Sequence, residues 1–357
     1  MPRTVAGIPP ARHALHTGVK KIGFLSFGHY QEVPGSVVRT AGDALRQSID
    51  LAVAAEELGA DGAFFRVHHF APQLASPFPL LAAIGARTSR IEIGTGVIDM
   101  RYEHPLYMAE DAAAADLISE GRLQLGVSRG SPETALRGYE SFGYYPDDEE
   151  SDADLARRHT ELFRAAIAGA GIAQANPQMT GRTGALAIEP QSPGLGDRIW
   201  WGAGSRATAV WAAEQGMNLM SSTLLTEDTG AAFSDLQAEQ IQLFRDAWTA
   251  AGREREPRVS VSRSIMPITT DLDRRYFGAS AQADRRDQVG HLDGGIARFG
   301  KSYVGEPDAL IAELRTDAAV EAADTLLLTV PNQLGVDYNA HLLETVVTQI
   351  APALGWR

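Results

Sequence analysis

The sequence predicts an α/β fold, specifically a (β/α)8 TIM barrel with insertions after strands 4 and 7. Short apolar runs alternate with amphipathic helical stretches along the chain, a pattern typical of βα units around a parallel sheet. Eight such runs can be counted, more than a doubly wound sheet usually contains. The length of 357 residues also suits one such barrel, a class that spans about 200 to over 400 residues.

The first half of the chain is predicted to contain four strand-and-helix units. Asp43 is expected to cap the first helix, and Gly59 is expected to end it in a left-handed conformation. A short helix follows Pro79, and another begins at Pro105 and stops at Gly121. The four strands are predicted at residues 21–27, 62–70, 90–98 and 122–128, and the fourth helix at residues 155–167.

The second half continues this alternation but contains the two insertions. A stretch rich in glycine and proline, 169–197, delays the fifth strand. A polar loop, 271–300, follows the seventh strand and contains two Arg-Arg pairs. Pro307 then opens a helix, and a closing helix carries apolar residues over 342–350. The four strands are predicted at residues 199–204, 218–222, 259–268 and 324–330.

The composition argues against several classes of protein. The formal net charge of −13 argues against nucleic acid or an anionic membrane as a partner. The chain has no cysteine, which excludes disulfides and thiolate metal sites and fits a cytoplasmic location. No apolar run reaches the roughly 18 residues that a membrane span needs. Residues 1–18 are expected to form a flexible N-terminal tail, which leaves residues 19–357 as a single barrel domain.

Candidate functional residues lie at the strand ends, because barrel enzymes place their sites where strands end and βα loops begin. Strand two ends in His68 and His69, of which only one can point into the barrel mouth; a hydrogen-bonded packing role is the alternative. Strand three contains Gly94 and Gly96, which suggest a close backbone approach or a bulge. Arg129 follows strand four and can reach an anion at the mouth, with a surface ion pair as its alternative.

The segment after strand five has the features of a phosphate site. Gly202 and Gly204 let a ligand approach the backbone, and Ser205 and Thr208 place hydroxyl groups at the start of a helix. Free amides and the positive end of the helix dipole favour an anion there. Alternatively, Ser205 caps the helix without any ligand. Together with Arg129, this segment predicts a barrel mouth that binds a phosphate group, but it does not identify the cofactor.

Three segments resemble the bacterial luciferase-like monooxygenase family. The stretch 104–130, HPLYMAEDAAAADLISEGRLQLGVSRG, is similar to that family's third helix and fourth strand. His-His-Phe at 68–70 is similar to the end of its second strand, and 205–222 is similar to its phosphate-binding helix and sixth strand. The order and approximate spacing agree over most of the chain. One departure is Val67, where many members have glutamate.

The resemblance implies a barrel that binds FMN or, in some members, the deazaflavin F420. His68 matches a catalytic or pocket-shaping histidine near the flavin ring, and Gly96–Val97 matches a non-proline cis peptide beside the ring. Arg129, Ser205 and Thr208 match phosphate ligands, whereas Ser128 stands where luciferase has a reactive cysteine. The full set of predicted cofactor-binding residues is Gly96, Val97, Ser128, Arg129, Gly204, Ser205, Arg206 and Thr208.

The resemblance also implies an activity and partners. The expected activity is a monooxygenase that uses reduced FMN and O2 on a small organic substrate, with the flavin supplied by a separate reductase. A homodimer is usual in the family. Two alternatives stay open: a hydride-transfer oxidoreductase that uses F420, and a non-catalytic flavin-binding protein. A metal-dependent hydrolase would need clustered ligands, but His68, Asp99 and His291 are scattered without ligand spacing, so no metal site is predicted.

Overall fold

The structure of the protein is a computed structural model that describes residues 19–130, 134–227, 229–282, 287–292 and 295–357. The expected tail at 1–18 lies outside these residues. The barrel strands are β1 Lys21–Ser26, β2 Gly62–Phe65, β3 Glu92–Asp99, β4 Leu123–Ser128, β5 Ile199–Ala203, β6 Asn218–Ser221, β7 Val259–Arg263 and β8 Thr325–Val330. They are parallel and form a closed barrel in the order β1-β8-β7-β6-β5-β4-β3-β2. The predicted TIM barrel is therefore confirmed.

Helices connect the strands and surround the barrel. In α1, Thr40 is the capping residue in place of the expected Asp43: its hydroxyl accepts from the Asp43 amide at 3.1 Å, and the Asp43 carboxylate accepts from the Thr40 amide at 3.0 Å. This reciprocal capping box satisfies two amides that a single cap would leave open. The helices are α1 Ala41–Glu57, α2 Pro77–Arg87, α3 Pro105–Ile118, α4 Asp152–Ile167, α5 Arg206–Gln215, α6 Phe233–Ala250, α7 Asp271–Gln282, α8 Pro307–Leu314, α9 Ala318–Ala322 and α10 Val336–Thr345.

Strand β2 is shorter than the sequence predicts. It ends at Phe65, which pairs with Ser26 of β1 and Thr95 of β3. Since β1 itself ends at Ser26, the backbone beyond Phe65 runs out of a ladder partner on that side. The chain then turns at Phe70, whose φ is 55°. The predicted continuation of the strand to Phe70 is therefore wrong, and the two histidines lie in the loop that follows β2.

The two insertions contain regular structure. After β4, the chain forms a 3-10 turn, Gly138–Phe142, and a small antiparallel pair, Ala173–Gln174 with Ala185–Leu186. The predicted seventh strand is split, because Ile265–Pro267 leaves the barrel and pairs with Tyr303–Gly305.

The prediction of a polar loop at 271–300 is also wrong. It contains α7 and an antiparallel pair, Gln288–Leu292 with Gly295–Phe299. The second strand of this pair also contacts Leu224–Leu225, the segment that follows β6. The second insertion is thereby joined to the mouth of the barrel.

The barrel interior is closed by apolar side chains, which pack below the carboxyl ends of the strands. Close contacts between β3 and β4 require glycine: a Cβ on Gly94 would lie 2.2 Å from the Gln124 carbonyl oxygen, and one on Gly126 would lie 2.3 Å from that of Thr95. The register of these two strands also shifts between Thr95 and Ile98. This agrees with the bulge or close approach inferred from the sequence. The interior cluster consists of Leu25, Phe64, Trp200, Met220 and Leu327.

None of the helices in the described ranges is both long and apolar enough to cross a lipid bilayer.

Candidate functional site

A cavity opens at the carboxyl ends of the strands. Every barrel strand, or the loop directly after it, contributes to its wall. Polar hydroxyl groups come from β4 to β7 and their loops, whereas the wall near β1, β2 and β8 is largely apolar. The hydroxyl-bearing lining residues are Ser128, Ser205, Thr208, Ser221, Ser222, Thr223, Thr226, Ser260 and Ser262.

Most of the residues predicted from the sequence meet at this cavity. Two of them, His68 and Arg206, are not among its described lining residues. The predicted residues that do line it are Gly96, Val97, Ser128, Arg129, Gly204, Ser205 and Thr208.

His68 is buried in the loop after β2. Its amide donates to the Leu74 carbonyl at 2.9 Å, and its ring Nδ1 lies 3.1 Å from the carbonyl oxygen of His69. The residues that line the cavity from this loop are Arg66 and Val67, because β2 ends earlier than expected. The predicted proton-transfer role of His68 therefore gains no support from this geometry, and a pocket-shaping role stays a prediction.

Arg206 is held by two carboxylates. Its guanidinium lies 3.3 Å from Glu227 and 2.8 Å from Glu239, and its amide donates to the Glu227 carboxylate at 3.0 Å. These carboxylates lie far along the chain and could not be assigned to Arg206 from the local sequence. The side chain that was expected to bind the cofactor is thus engaged in a surface ion-pair network.

Ser205 and Thr208 form a small hydroxyl cluster at the start of α5. Ser205 caps the helix, its Oγ lying 3.3 Å from the Thr208 amide and 2.8 Å from the Thr208 Oγ1. A Cβ built on Gly204 would make ordinary contacts with the Leu224 carbonyl oxygen at 3.6 Å and the Thr226 methyl group at 3.9 Å, so glycine leaves this backbone without a side chain that would cover it. The helix end and the two hydroxyls together offer hydrogen-bond donors to an anion.

Arg129 is exposed at the rim, directly after β4. Since β4 pairs with β5, Arg129 and Ser205 follow neighbouring strands and face the same part of the cavity. Arg129 makes no ion pair with any residue that the structure describes. A planar guanidinium at this position can therefore pair with the same oxyanion as the hydroxyl cluster.

The described lining residues carry three charges: Arg66, Arg129 and Asp99. Asp99 is buried and is bound by Arg101, which donates to its two oxygens at 3.0 and 2.7 Å. Gly130 lies over this pair, and a Cβ there would come 1.9 Å from the Asp99 carboxylate. Arg101 is shared between Asp99 and Asp152, at 2.7 and 2.8 Å. The described lining contains two arginines and one carboxylate, so the cavity favours an anion although the whole chain is strongly acidic.

Two glutamines of α6 support the cavity wall. This role was not predicted from the sequence. The side-chain amide of Gln240 donates through Nε2 to the carbonyls of Ala203 and Ser205 at 3.2 and 3.0 Å, and its Oε1 accepts from the Ser221 hydroxyl at 2.5 Å. Gln237 donates to the same hydroxyl at 2.9 Å. The only sequence signal is their spacing of three on the buried face of a helix, a position where an apolar residue is normal.

We expect Gln240→Leu to lower the free energy of unfolding by about 1–3 kcal/mol, because two carbonyls and a hydroxyl would each lose one of their hydrogen bonds. The matched control is Gln242→Leu, an exposed position on the same helix whose amide contacts Asp246. Its effect should stay within about 0.5 kcal/mol. Urea unfolding measures both changes, and equal effects of the two variants would contradict the supporting role of Gln240.

Glu103, in the loop after β3, has an unusual protonation equilibrium. Burial, together with the negative charges of Asp99 and Asp111, raises the pKa of its carboxyl to about 7. The folded state thus keeps a proton that the unfolded state loses near pH 4.5. The contribution of Glu103 to the free energy of unfolding is therefore fully present below pH 4.5, and it is lost as the pH rises towards 7.

Glu103→Gln is therefore expected to stabilise the protein at pH 8 by about 1–3 kcal/mol and to change little at pH 4.5. Urea unfolding at the two pH values measures the difference. Glu149→Gln, at an exposed position, should show no such pH dependence. A gain of equal size at both pH values would contradict this account.

No three histidine or carboxylate side chains of the described residues lie close enough to hold a metal ion together.

The peptide bond between Gly96 and Val97, in the cavity wall, is cis. This confirms the expectation drawn from the resemblance. A family model described as luciferase-like monooxygenase matches residues 23–319. The chain belongs to the luciferase-like monooxygenase family.

The relatives within this family are oxidoreductases that use different cofactors. An F420-dependent glucose-6-phosphate dehydrogenase of Kribbella flavida is 29% identical over 256 residues, which cover 66% of this chain and 74% of that protein. The chain spans about half the length of two other curated relatives: it matches 56% of an uncharacterised protein of Sinorhizobium fredii and 54% of the alkanal monooxygenase alpha chain of the Kryptophanaron alfredi symbiont.

Solved structures of similar shape agree with the barrel. A monooxygenase from Streptomyces bottropensis is 22% identical, with a TM-score of 0.71 over 93% of this chain and 99% of that one. The oxygenating constituent of 3,6-diketocamphane monooxygenase from Pseudomonas putida, solved with FMN, is 17% identical, with a TM-score of 0.65 over 94% and 98%. At these identities the likeness concerns the fold.

Proposed function

We propose that this member of the luciferase-like monooxygenase family is an FMN-dependent monooxygenase that acts on a small organic substrate. It would use reduced FMN, supplied by a separate flavin reductase, and O2. The observation that carries the proposal is the cluster of Arg129, Ser205 and Thr208 at the end of the cavity where α5 begins. Such a cluster suits a terminal phosphate group.

The residues of the cavity fit FMN in two further respects. Gly204 has no side chain that would cover the backbone beside the helix start, and it lines the cavity there. Apolar side chains of Leu25, Val97 and Leu327 line the inner wall, where they would exclude water from the reacting atoms. When bound, the reduced flavin supplies the electrons that activate O2. The chain itself binds the phosphate, orients the ring and keeps the site dry.

A second candidate is a hydride-transfer enzyme that uses F420. It is favoured by the F420-dependent relative of Kribbella flavida, whose match covers two thirds of this chain. The phosphate cluster alone does not distinguish the cofactors, since both carry a phosphate on the ribityl chain that is attached to a flavin-like ring.

Cofactor titrations test the proposal and separate the two candidates. Purified protein is titrated with oxidised FMN, reduced FMN under anaerobic conditions, and F420, and binding is followed by absorbance and fluorescence. We expect the tightest binding for reduced FMN. Binding of F420 alone would replace the first candidate by the second, and binding of none of the three would refute both.

Turnover separates an enzyme from a flavin-binding protein without activity. The protein is mixed with a flavin reductase, NADH, FMN and a panel of small organic compounds, and oxygenated products are detected by mass spectrometry. We expect one oxygen atom to be inserted into at least one compound. Reductase alone, without this chain, is the control.

We also propose that the protein is a homodimer, as is usual in the family. Light scattering after size-exclusion chromatography should give twice the mass of one chain. A monomer at micromolar concentration would contradict this.

A further inference from the structure

The turn that joins β5 to α5 has all three of its carbonyl groups engaged. The Gln240 side chain donates to the carbonyls of Ala203 and Ser205 at 3.2 and 3.0 Å. The carbonyl between them, that of Gly204, accepts from the Thr226 amide at 3.0 Å. Each carbonyl of the turn is thus fixed by a donor from α6 or from the segment after β6.

Fixed carbonyls also fix the direction of the amides. In a trans peptide bond, the N–H of one residue points opposite to the carbonyl of the residue before it. Both peptide bonds of Gly204 are trans. The Gly204 amide therefore points away from the Gln240 donor, and the Ser205 amide points away from Thr226. Both amides turn towards β4, the other neighbour of β5, which Arg129 follows.

These two amides are available to a ligand. Neither the Gly204 nor the Ser205 amide has an acceptor among the residues that the structure describes, and both residues line the cavity. The next amide, that of Arg206, already donates to the Glu227 carboxylate at 3.0 Å. Since enclosed backbone amides normally find an acceptor, we expect a ligand oxygen to supply it here.

The orientation of the Gln240 side chain is set by a chain of hydrogen bonds. Gln237 donates to the Ser221 hydroxyl at 2.9 Å, and this hydroxyl donates to the Gln240 Oε1 at 2.5 Å. The Gln240 Nε2 then faces two carbonyls, which can only accept. Gln240 is 1% exposed and is not among the described lining residues. It acts on the turn from behind and does not contact a ligand in the cavity.

We propose that Gln240 is a positioning residue for the cofactor: it holds the turn 203–205 so that the amides of Gly204 and Ser205 bind the phosphate group. The proposal rests on the proposed function, since it takes the cofactor phosphate to lie at the start of α5. Amides that already converge on one point form a concave site for an anion. Without the Gln240 donor, the two carbonyls could rotate towards the phosphate, where their negative ends would repel it.

FMN and riboflavin are matched probes for this role, because riboflavin lacks only the phosphate. Dissociation constants of both flavins are measured by fluorescence quenching for the wild-type protein and for Gln240→Met, which keeps the length of the side chain but cannot donate. We expect the preference for FMN over riboflavin to fall by about fivefold or more in Gln240→Met. An unchanged preference would overturn the proposal.

The matched control is Gln237→Met on the same helix. Gln237 is 0% exposed and donates to the Ser221 hydroxyl and the Ser222 carbonyl at 2.9 and 2.8 Å, so its loss removes buried hydrogen bonds without freeing the turn. It should lower stability to a similar degree but change the preference for FMN by less than about twofold. Equal falls in both variants would show a general loosening of α6 and would reject the positioning role.

A second variant repeats the test if Gln240→Met does not fold. Gln240→Glu keeps the shape of the side chain, but an ionised carboxylate cannot donate to the two carbonyls. It should lower the preference for FMN at least as much as Gln240→Met. A preference equal to that of the wild-type protein would again reject the role.

Different results refute the proposed function and the role of Gln240. Equal affinities of the wild-type protein for FMN and riboflavin refute the assignment of the cofactor phosphate to this turn. Inorganic phosphate still tests the turn itself: it is titrated into cofactor-free protein labelled with nitrogen-15 at glycine and serine, and the amide resonances of Gly204 and Ser205 are followed. We expect both to shift in the wild-type protein, and to shift less in Gln240→Met at the same phosphate concentration. No shift in the wild-type protein, or equal shifts in both proteins, would overturn the proposal.

Discussion

Replacing Arg129 with alanine is expected to weaken FMN binding by more than tenfold while leaving the stability of the protein unchanged. Arg129 is exposed after β4, next to the strand that leads into Ser205 and Thr208. One charge-assisted hydrogen bond is worth about 1.5–3 kcal/mol, which corresponds to roughly 10- to 150-fold in affinity. Quenching of flavin fluorescence on titration measures the change.

The control for this prediction is Arg182→Ala, an exposed arginine in the insertion that follows β4, outside the described cavity lining. It removes the same charge from the protein and should change FMN affinity by less than twofold. Equal losses in the two variants would mean that only net charge matters, and unchanged affinity in Arg129→Ala would reject its role at the phosphate.

Arg263→Met should lower the free energy of unfolding by about 3–5 kcal/mol. Arg263, at the end of β7, and Asp317 are almost completely buried, and two hydrogen bonds of 2.7 and 3.0 Å join them. The Tyr303 hydroxyl donates to the same carboxylate at 2.6 Å, and the carboxylate also accepts from the amides of Ala319 and Val320 at the start of α9. Without the guanidinium, a buried carboxylate would keep its charge with no opposite charge beside it.

The control for Arg263→Met is Arg274→Met. Arg274 pairs with the exposed Asp271 on the surface of α7 at 3.2 Å, and exposed pairs of this kind contribute about 0–1 kcal/mol. Guanidinium chloride unfolding compares the two variants. A loss below about 1 kcal/mol in Arg263→Met would show that the interior tolerates Asp317 alone.

The barrel could be predicted from the sequence because its strands are continuous apolar runs that helices cover on one side. The error at β2 has a physical cause: Val67 and the residues after it continue the local pattern, whereas the ladder ends where β1 ends, at Ser26. Local sequence carries no information on the length of a neighbouring strand.

Helix α7 was missed for a different reason. Its sequence, Asp271–Gln282, is polar and has few apolar residues at helical spacing. The Asp273 carboxylate stabilises its start: it accepts from the neighbouring Thr269 and Thr270 amides at 2.9 and 2.8 Å and from the distant Tyr338 hydroxyl at 2.8 Å. Tyr338 lies on α10, so only the folded chain brings this donor to the helix.

The candidate site was partly predictable for a topological reason. Residues that follow strands of a parallel barrel meet at one end, and Arg129, Gly204, Ser205 and Thr208 do so. What the sequence could not provide was the partner of each side chain. Arg206 was assigned to the cofactor from its place beside Ser205, although distant carboxylates bind it.

The most direct test of the central claim is the affinity of FMN compared with that of riboflavin, which lacks only the phosphate. If Arg129 and the start of α5 bind that phosphate, FMN should bind about 100-fold more tightly or better, and the ratio should fall by at least tenfold in Arg129→Ala. Equal affinities of the wild-type protein for the two flavins would contradict the account.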